Sequence, residues 1–322
     1  MTTPTSAAPS TIHSQSSSPL PGPALPGPMP LSYVHQMRGP RYRWWRPVVA
    51  LVVASTVFVI CMAVLFVAAF LLLGIEHEDE LLDVLDPQSS LTTNLLIASF
   101  IPATLVGQWV GFARSPGRVL SVTGRMRWGW LARCMAVLTP LWATHLAIGW
   151  LVFDKQVTDR PDSWLALLLV SLLTTPLQAA GEEIAFRGGL VQGVGAWIRS
   201  PWVALGVTTV MSTVVFAVAH ASPDPWVLIE IGAMAAGGCW LTWRTGGLEA
   251  IIALHVVNNL LVFASGNLLG GLAESYVDET TTSSPVSAAL GVLATAVVTA
   301  ILLGLARRRG IAPPGWRTPA VG

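Results

Sequence analysis

Two adjacent glutamates and an arginine lie between strongly apolar stretches of this chain, in the string AAGEEIAFRGGL. They are Glu182, Glu183 and Arg187. Ionisable side chains beside hydrocarbon are costly unless they are paired, hydrated or used in a reaction, so this cluster is a functional-site hypothesis. Glu183 and Arg187 are four residues apart with the acid first, which predicts a helical ion pair in which Arg187 neutralises Glu183.

The two glutamates are expected to differ in role. Successive residues on an α-helix point about 100° apart, so Glu182 and Glu183 are predicted not to face the same partner. With Glu183 paired to Arg187, Glu182 is the carboxylate left free for direct chemistry. An EExxxR string by itself is equally consistent with a structural ion-pair network that closes a loop.

Three polar residues on later apolar segments extend the cluster. His255 and Asn259 in LHVVNNL are four apart, so an uninterrupted helix places both side chains on one face. His220 lies in FAVAHA. A lone histidine in a transmembrane helix is more often an interhelical hydrogen-bonding residue than a ligand. Joined with Glu182, however, these side chains form a set able to bind a divalent metal or to hold and deprotonate a water molecule.

The composition predicts a polytopic membrane protein. The chain is 53% hydrophobic and only 11% charged, and its apolar runs of about 20 residues are long enough to cross a bilayer as helices. A net charge of +1 gives no electrostatic reason to expect a nucleic-acid partner. We therefore expect an all-α bundle of about eight helices, with the lipid bilayer as its surroundings.

Eight apolar runs are candidate spans, and the charges between them predict an orientation. Arginines precede the first run and follow the second, fourth, sixth and eighth, whereas the alternate connections are acidic or poor in arginine. Arginine-rich loops stay on the cytoplasmic side, so both termini are predicted to face the cytoplasm from a plasma or inner membrane. The predicted spans are 47–74, 92–113, 129–153, 164–190, 202–220, 226–243, 248–269 and 286–306.

The chain divides into four predicted parts. Residues 1–46 are rich in Pro and Ser and are expected to form a disordered cytoplasmic tail. Residues 47–160 hold the first three spans, and 161–270 hold the polar cluster. Residues 271–322 hold the last span and a basic C-terminal tail.

The polar residues together resemble the pattern of a known family. The CAAX prenyl endopeptidase type II and Abi group of intramembrane proteases, the CPBP family, has EExxxR followed by FxxxH and HxxxN. The same three motifs occur here in that order, over about residues 164–265. They are carried by Glu182, Glu183 and Arg187, then by Phe216 and His220, then by His255 and Asn259.

The resemblance implies an intramembrane endopeptidase whose helices enclose a catalytic cavity. In such a site Glu182 is the general base and His220 is its partner at the hydrolytic water. The resemblance makes His255 and Asn259 the pair that stabilises the oxyanion or holds a metal. Glu183 and Arg187 are then structural members of the catalytic site.

The resemblance also bears on the cofactor and the substrate. One alternative it implies is a divalent metal, zinc, with ligands from Glu182, His220, His255 and Asn259, and the other is a glutamate protease that does not depend on a metal. Membrane-associated peptides or proteins are the substrates it implies. The arginine-, tryptophan- and alanine-rich composition suggests a bacterium of high GC content, in which prenylated CAAX proteins are not expected, so a bacterial membrane peptide or protein is the predicted substrate.

Two other functions remain open from the sequence. A non-catalytic scaffold or bacteriocin-immunity protein would keep the fold and use the cavity only for binding. A proton-coupled transporter would use Glu, His and Arg side chains as a relay. Many transporters carry an internal repeat, and the first and last four spans show no obvious one.

Simple counting does not place the candidate residues at one depth. At about 1.5 Å per residue, His255 lies about 10 Å along its span and His220 about 27 Å along its own, measured from the same side. Straight upright helices would keep them apart, so tilted helices or a re-entrant segment are expected. Pro176 is a candidate for a break or kink in the fourth span, which is long for one upright crossing.

Overall fold

The computed structural model describes residues 31–74, 83–153 and 156–311, which form a bundle of α-helices. Eight helical segments in these ranges are long and apolar enough to cross a membrane, which confirms the predicted all-α polytopic fold. Within the same ranges, β-type pairing is limited to an isolated bridge between Ser121 and Gly247. Predictions made for residues 1–30, 75–82, 154–155 and 312–322 lie outside the described residues.

Several helices begin where the sequence supplies capping residues. Asp86, Ser200, Asp224 and Ser284 each accept hydrogen bonds from first-turn backbone N–H groups, and each is followed by a proline. The helices are α1 Arg46–Leu73, α2 Pro87–Ala98, α3 Phe100–Phe112, α4 Gly117–Leu120, α5 Trp128–Val152, α6 Trp164–Glu183, α7 Val191–Gly195, α8 Pro201–Val218, α9 Pro225–Thr245, α10 Glu249–Leu269 and α11 Pro285–Arg308.

The fourth span is one long helical run with a change of winding inside it. Helix α6 continues through Pro176 to Glu183, so the chain does not break at the proline. A π-helical segment, Ile184–Leu190, follows α6 and leads into α7. A π-helix in an otherwise α-helical run often marks a functional site, and this one carries Arg187.

Helix α10 is the centre of the bundle. Over half of its apolar window is buried, 56%, compared with 6% for α1. It packs against α5, α6 and α9, and every residue from 250 to 257 is buried. This helix carries Glu249, His255 and Asn259, and polar side chains within a membrane span face the interior of the bundle. His255 is thereby placed in the interior.

The loops between spans gather at two opposite ends of the bundle. At the first, which we call the basic end, Arg118 donates to Gln36 (3.0 Å) and the backbone N–H of Leu248 donates to Leu120 (2.9 Å). At the second, the acidic end, the backbone N–H of Thr158 donates to Leu269 (3.0 Å). The arginine-rich connections thus lie at one end of the bundle and the acidic connections at the other, as expected for spans that alternate in direction.

The prediction of a disordered tail over residues 1–46 was wrong for the stretch just before α1. A short 3-10 turn, Tyr33–His35, is buried, and Met37 beside it is 1% exposed. The Tyr33 hydroxyl donates to the Val119 carbonyl, and Nε2 of His35 binds the Ile198 carbonyl at 2.8 Å. Aromatic and aliphatic side chains at these positions cover the basic end. The Pro- and Ser-rich composition of the wider segment hid this short ordered stretch from the sequence analysis.

Candidate active site

A buried ion pair anchors the site. Nη1 of Arg187 donates to Oε1 of Glu183 at 3.1 Å, and both side chains are fully buried. The predicted pairing of these two residues is therefore present. The same Glu183 oxygen lies 2.8 Å from Nδ1 of His255, on α10. Because a carboxylate only accepts hydrogen bonds, Nδ1 of His255 carries the hydrogen.

Glu182 lies on the other side of the same imidazole. Its Oε2 is 3.6 Å from Nε2 of His255, while its Oε1 accepts a 2.6 Å hydrogen bond from Nε2 of Gln178. The two adjacent carboxylates thus contact opposite nitrogens of one ring. The prediction that Glu182 and Glu183 could not face the same partner was wrong. The two nitrogens of an imidazole point in different directions, so one ring can contact two carboxylates that leave the helix about 100° apart.

The Oε2 atom of Glu182 is the chemically available one. It is buried and has no hydrogen-bond partner within the described part of the chain, and the side chain as a whole is 12% exposed. A carboxylate with one oxygen fixed and the other free can accept a proton without losing its orientation. Oε2 of Glu183 also lacks a hydrogen-bond partner among the described residues, but the Glu183 side chain is fully buried beside Arg187, whereas that of Glu182 is partly exposed.

The ring of Phe216 supports the charged residues from α8. The guanidinium carbon of Arg187 lies 4.0 Å from the centre of this ring, a cation–π arrangement. The ring of His255 packs edge-on against it with centroids 5.9 Å apart. Phe216 lies near the end of α8 and His255 near the start of α10. Their contact shows that these two positions lie at a similar depth, which straight, upright spans would not allow.

His220 joins the site only through Phe216. It follows the last residue of α8 by two positions, and its Nδ1 binds the Phe216 carbonyl at 2.8 Å. Its ring lies 4.7 Å from that of Phe216. Among the described residues, no hydrogen bond links His220 to Glu182 or His255. Because the carbonyl accepts, the neutral ring carries its hydrogen on Nδ1 and offers Nε2 as an acceptor.

Asn259 belongs to a chain of amides that reaches Glu182. Nδ2 of Asn259 donates to Oε1 of Gln178 at 3.3 Å, and Oδ1 of Asn259 accepts from Asn258 at 2.8 Å. The indole N–H of Trp142 donates to Oδ1 of Asn258 at 2.9 Å. The chain runs from α5 through α10 to α6, and it ends on the carboxylate of Glu182.

Sequence reasoning missed three members of this network. Gln178 carries a usable signal, since it precedes Glu182 by four residues and so lies on the same helical face. Asn258 sits beside the selected Asn259, but adjacent residues point in different directions and only the packing of α5 assigns it a partner. Nothing in the sequence distinguishes Trp142 from the other tryptophans of the spans.

The arrangement of these side chains does not fit a metal ion. Across the described ranges, no group of three or more His, Cys, Asp or Glu side chains is placed so that it could hold one. His255 directs its Nδ1 to Glu183, and Asn259 is engaged on both its amide oxygen and nitrogen. The zinc site stays a prediction.

Together these features define a polytopic all-α membrane protein with a buried, charged site where α6, α8 and α10 meet. Residues 162–261 match the family model of the Rce1-like type II CAAX prenyl endopeptidases. This part of the chain is therefore similar to the CAAX protease, or CPBP, family.

The similarity to individual proteins is confined to part of the chain. A protein of Bacillus subtilis (strain 168) with the description Uncharacterized protein YyaK is 30% identical over 102 residues, which are 30% of this chain and 33% of that relative. The matched stretch thus spans about a third of the relative's length. No solved structure matches the chain.

Proposed function

We propose that this protein is an intramembrane endopeptidase in which Glu182 activates the hydrolytic water. The observation that carries the proposal is the position of Glu182, with Oε1 held by Gln178 and Oε2 free to accept a proton 3.6 Å from His255. A general base has to be oriented and near its proton, and both conditions favour this carboxylate. The match of residues 162–261 to the family model of the Rce1-like type II CAAX prenyl endopeptidases supports the same reaction class.

The proposed reaction uses the side chains as follows. Glu182 accepts one proton from water while the water oxygen bonds to the carbonyl carbon of the scissile peptide bond. The carbon–nitrogen bond then breaks, and the proton passes from Glu182 to the leaving nitrogen. The immediate products are an amine and a carboxylic acid that keeps the second hydrogen of the water. The acid then passes this proton to the amine or to solvent and becomes a carboxylate. His255, held by Glu183, faces the oxygen that carries the proton between the two steps.

His220 and Asn259 complete the proposed site. Nε2 of His220 is the nitrogen left as an acceptor after Nδ1 binds the Phe216 carbonyl, which suits it to hold the second hydrogen of the water. Nδ2 of Asn259 has a second hydrogen besides the one it donates to Gln178, and we assign that hydrogen to the oxyanion. Glu183 and Arg187 position His255 and do not touch the reacting atoms.

The proposed substrate is a membrane-associated peptide or protein, and the proposed location is the plasma membrane with the basic end in the cytoplasm. The arginine-rich loops meet at one end of the bundle, as a single cytoplasmic face requires. Substrates that are themselves in the membrane could reach a site inside the helices without leaving the bilayer.

Quantitative N-terminal peptidomics tests the proposal. Membranes from cells that express the wild type, Glu182→Gln or His255→Gln at equal levels are compared. New peptide amino termini seen with the wild type and absent from both variants would support proteolysis and identify its substrates. If all three profiles agree while either variant still restores a phenotype lost on deletion, the protein acts as a scaffold or immunity protein and the proposal fails.

A further inference from the structure

A cavity separate from the candidate active site lies in the half of the bundle nearer the acidic end. It has a volume of about 580 Å³, within the range typical of small-molecule sites. Helices α5, α9, α10 and α11 form its walls, and loop residues that include Thr158 and Gly270 also line it. Its lining includes Asn258, the residue that also hydrogen-bonds Asn259, so the cavity stops one amide short of the candidate active site.

The cavity is acidic. Glu230 and Glu274 both line it, and no lysine or arginine of the described residues does. Glu230 lies in the second turn of α9, inside a membrane-spanning helix. Within the described ranges it forms no ion pair with a cationic side chain, and its closest partner is neutral: the Ser283 hydroxyl donates to Oε1 at 2.7 Å. A carboxylate in a span without a cation is a functional-site hypothesis by default.

The wall opposite Glu230 is shaped to admit this carboxylate. Gly291 on α11 faces it, and a side-chain carbon at position 291 would lie 3.0 Å from Oε2 of Glu230. Such a contact is tighter than ordinary van der Waals packing, so a larger residue would push the carboxylate away. Because residue 291 is a glycine, the Glu230 carboxylate can lie directly against α11 at the cavity wall.

Aromatic rings line the same cavity. Trp142 and Trp150 of α5 are among its walls, with His145 between them in sequence. The rings of Trp142 and His145 lie 5.1 Å apart. Carboxylates beside tryptophan faces form the surroundings that bind organic cations, through charge pairing and cation–π attraction. Apolar residues such as Leu146, Met234 and Leu290 supply the remaining surface.

We propose that this cavity binds a ligand that carries a protonated amine on an apolar body, with Glu230 as the counter-ion. A free amine and the amino terminus of a peptide share this chemistry. The inference does not depend on endopeptidase activity, because it rests on the walls of a cavity separate from Glu182. It predicts binding even in a protein that cleaves nothing.

Isothermal titration calorimetry on the full chain in lipid nanodiscs tests the inference. The probes are phenethylamine and the dipeptide amide Phe-Leu-NH₂, each compared with its N-acetylated form, which keeps the apolar body and lacks the charge. We expect an amine to bind and its acetylated form not to bind. Binding of the dipeptide would indicate a peptide ligand, and binding of phenethylamine alone would indicate a free amine.

Two acidic positions provide the matched variants. Glu230→Gln keeps the size of the side chain and removes its charge, and we expect it to weaken amine binding at least tenfold. Glu279→Gln makes the same change at an exposed acidic-end residue outside the cavity and should bind like the wild type. Glu274→Gln provides a second cavity variant should Glu230→Gln not fold. Equal affinity for amine and acetylated probes, no measurable binding of either amine, or wild-type affinity in the folded cavity variants would overturn the inference.

Discussion

Nε2 of His255 lies 3.6 Å from Oε2 of Glu182, and the opposite nitrogen of the same ring is held by Glu183. One imidazole therefore joins a buried structural carboxylate to a partly exposed one. This relationship separates the roles of two adjacent glutamates that the sequence presents as equals. Glu183 holds the ring through Nδ1, and Oε2 of Glu182, which has no hydrogen-bond partner among the described residues, is the atom that we propose accepts the proton.

The buried pair of Glu183 and Arg187 is expected to be essential for stability. Replacing Arg187 by Met leaves the Glu183 carboxylate buried without its guanidinium, so we expect the free energy of unfolding to fall by about 3–5 kcal/mol. Thermal unfolding in detergent measures the change. Arg133→Met alters an exposed arginine on α5 and should have little effect. A double variant, Glu183→Gln with Arg187→Met, should lose less than the sum of the single losses, and simple additivity would contradict the pairing.

Gln178 is predicted to be a positioning residue for Glu182. Gln178→Leu removes the donor that fixes Oε1, so kcat should fall at least about tenfold while KM changes little, because only the orientation of the base is lost. Gln178→His restores a donor and should recover part of the rate. Gln108→Leu is the matched control, since this buried glutamine donates to Gly189 instead. Equal losses of kcat in both leucine variants would indicate general destabilisation and not positioning.

The turn that covers the basic end should loosen on mild acidification. Burial lowers the pKa of His35 below its ordinary value of 6.5, so the folded state binds fewer protons than the unfolded state between the two pKa values. The contribution of His35 to stability is therefore present above about pH 6.5 and is lost as the pH falls through that window. The hydrogen-exchange protection factors of Tyr33 to Met37, which correct for the slower intrinsic exchange at lower pH, should fall between pH 7 and pH 5. His35→Gln should show no such pH dependence, and persistence of the effect in this variant would reject the assignment.

Many features of the fold follow from the sequence because they depend on local composition. The spans end where arginines, tryptophans and capping residues such as Asp224 occur, and the ion pair of Glu183 with Arg187 follows from one helical turn. The contacts of His255 with both glutamates do not follow, because they require the relative placement of α6 and α10. Gln178 illustrates the same limit: its position on the face of Glu182 is readable, but its role needs Asn259 from another helix.

The proposed orientation can be tested from both faces of the membrane. In a variant without the natural cysteines, Thr123→Cys lies at the basic end and Thr280→Cys at the acidic end, and both positions are exposed. A membrane-impermeant maleimide added to intact cells should label position 280 and spare position 123, because arginine-rich loops remain in the cytoplasm. Lysed cells should label both, which controls for reactivity. The reverse pattern in intact cells would invert the proposed topology.

The central claim is hydrolysis by a water molecule that Glu182 activates. Purified wild type and Glu182→Gln, reconstituted in liposomes, are incubated with a substrate found by peptidomics in water enriched in ¹⁸O. We expect one ¹⁸O atom in the new carboxyl terminus made by the wild type, and a loss of at least about a hundredfold in rate for Glu182→Gln. Cleavage at the wild-type rate by the folded Glu182→Gln variant would contradict it.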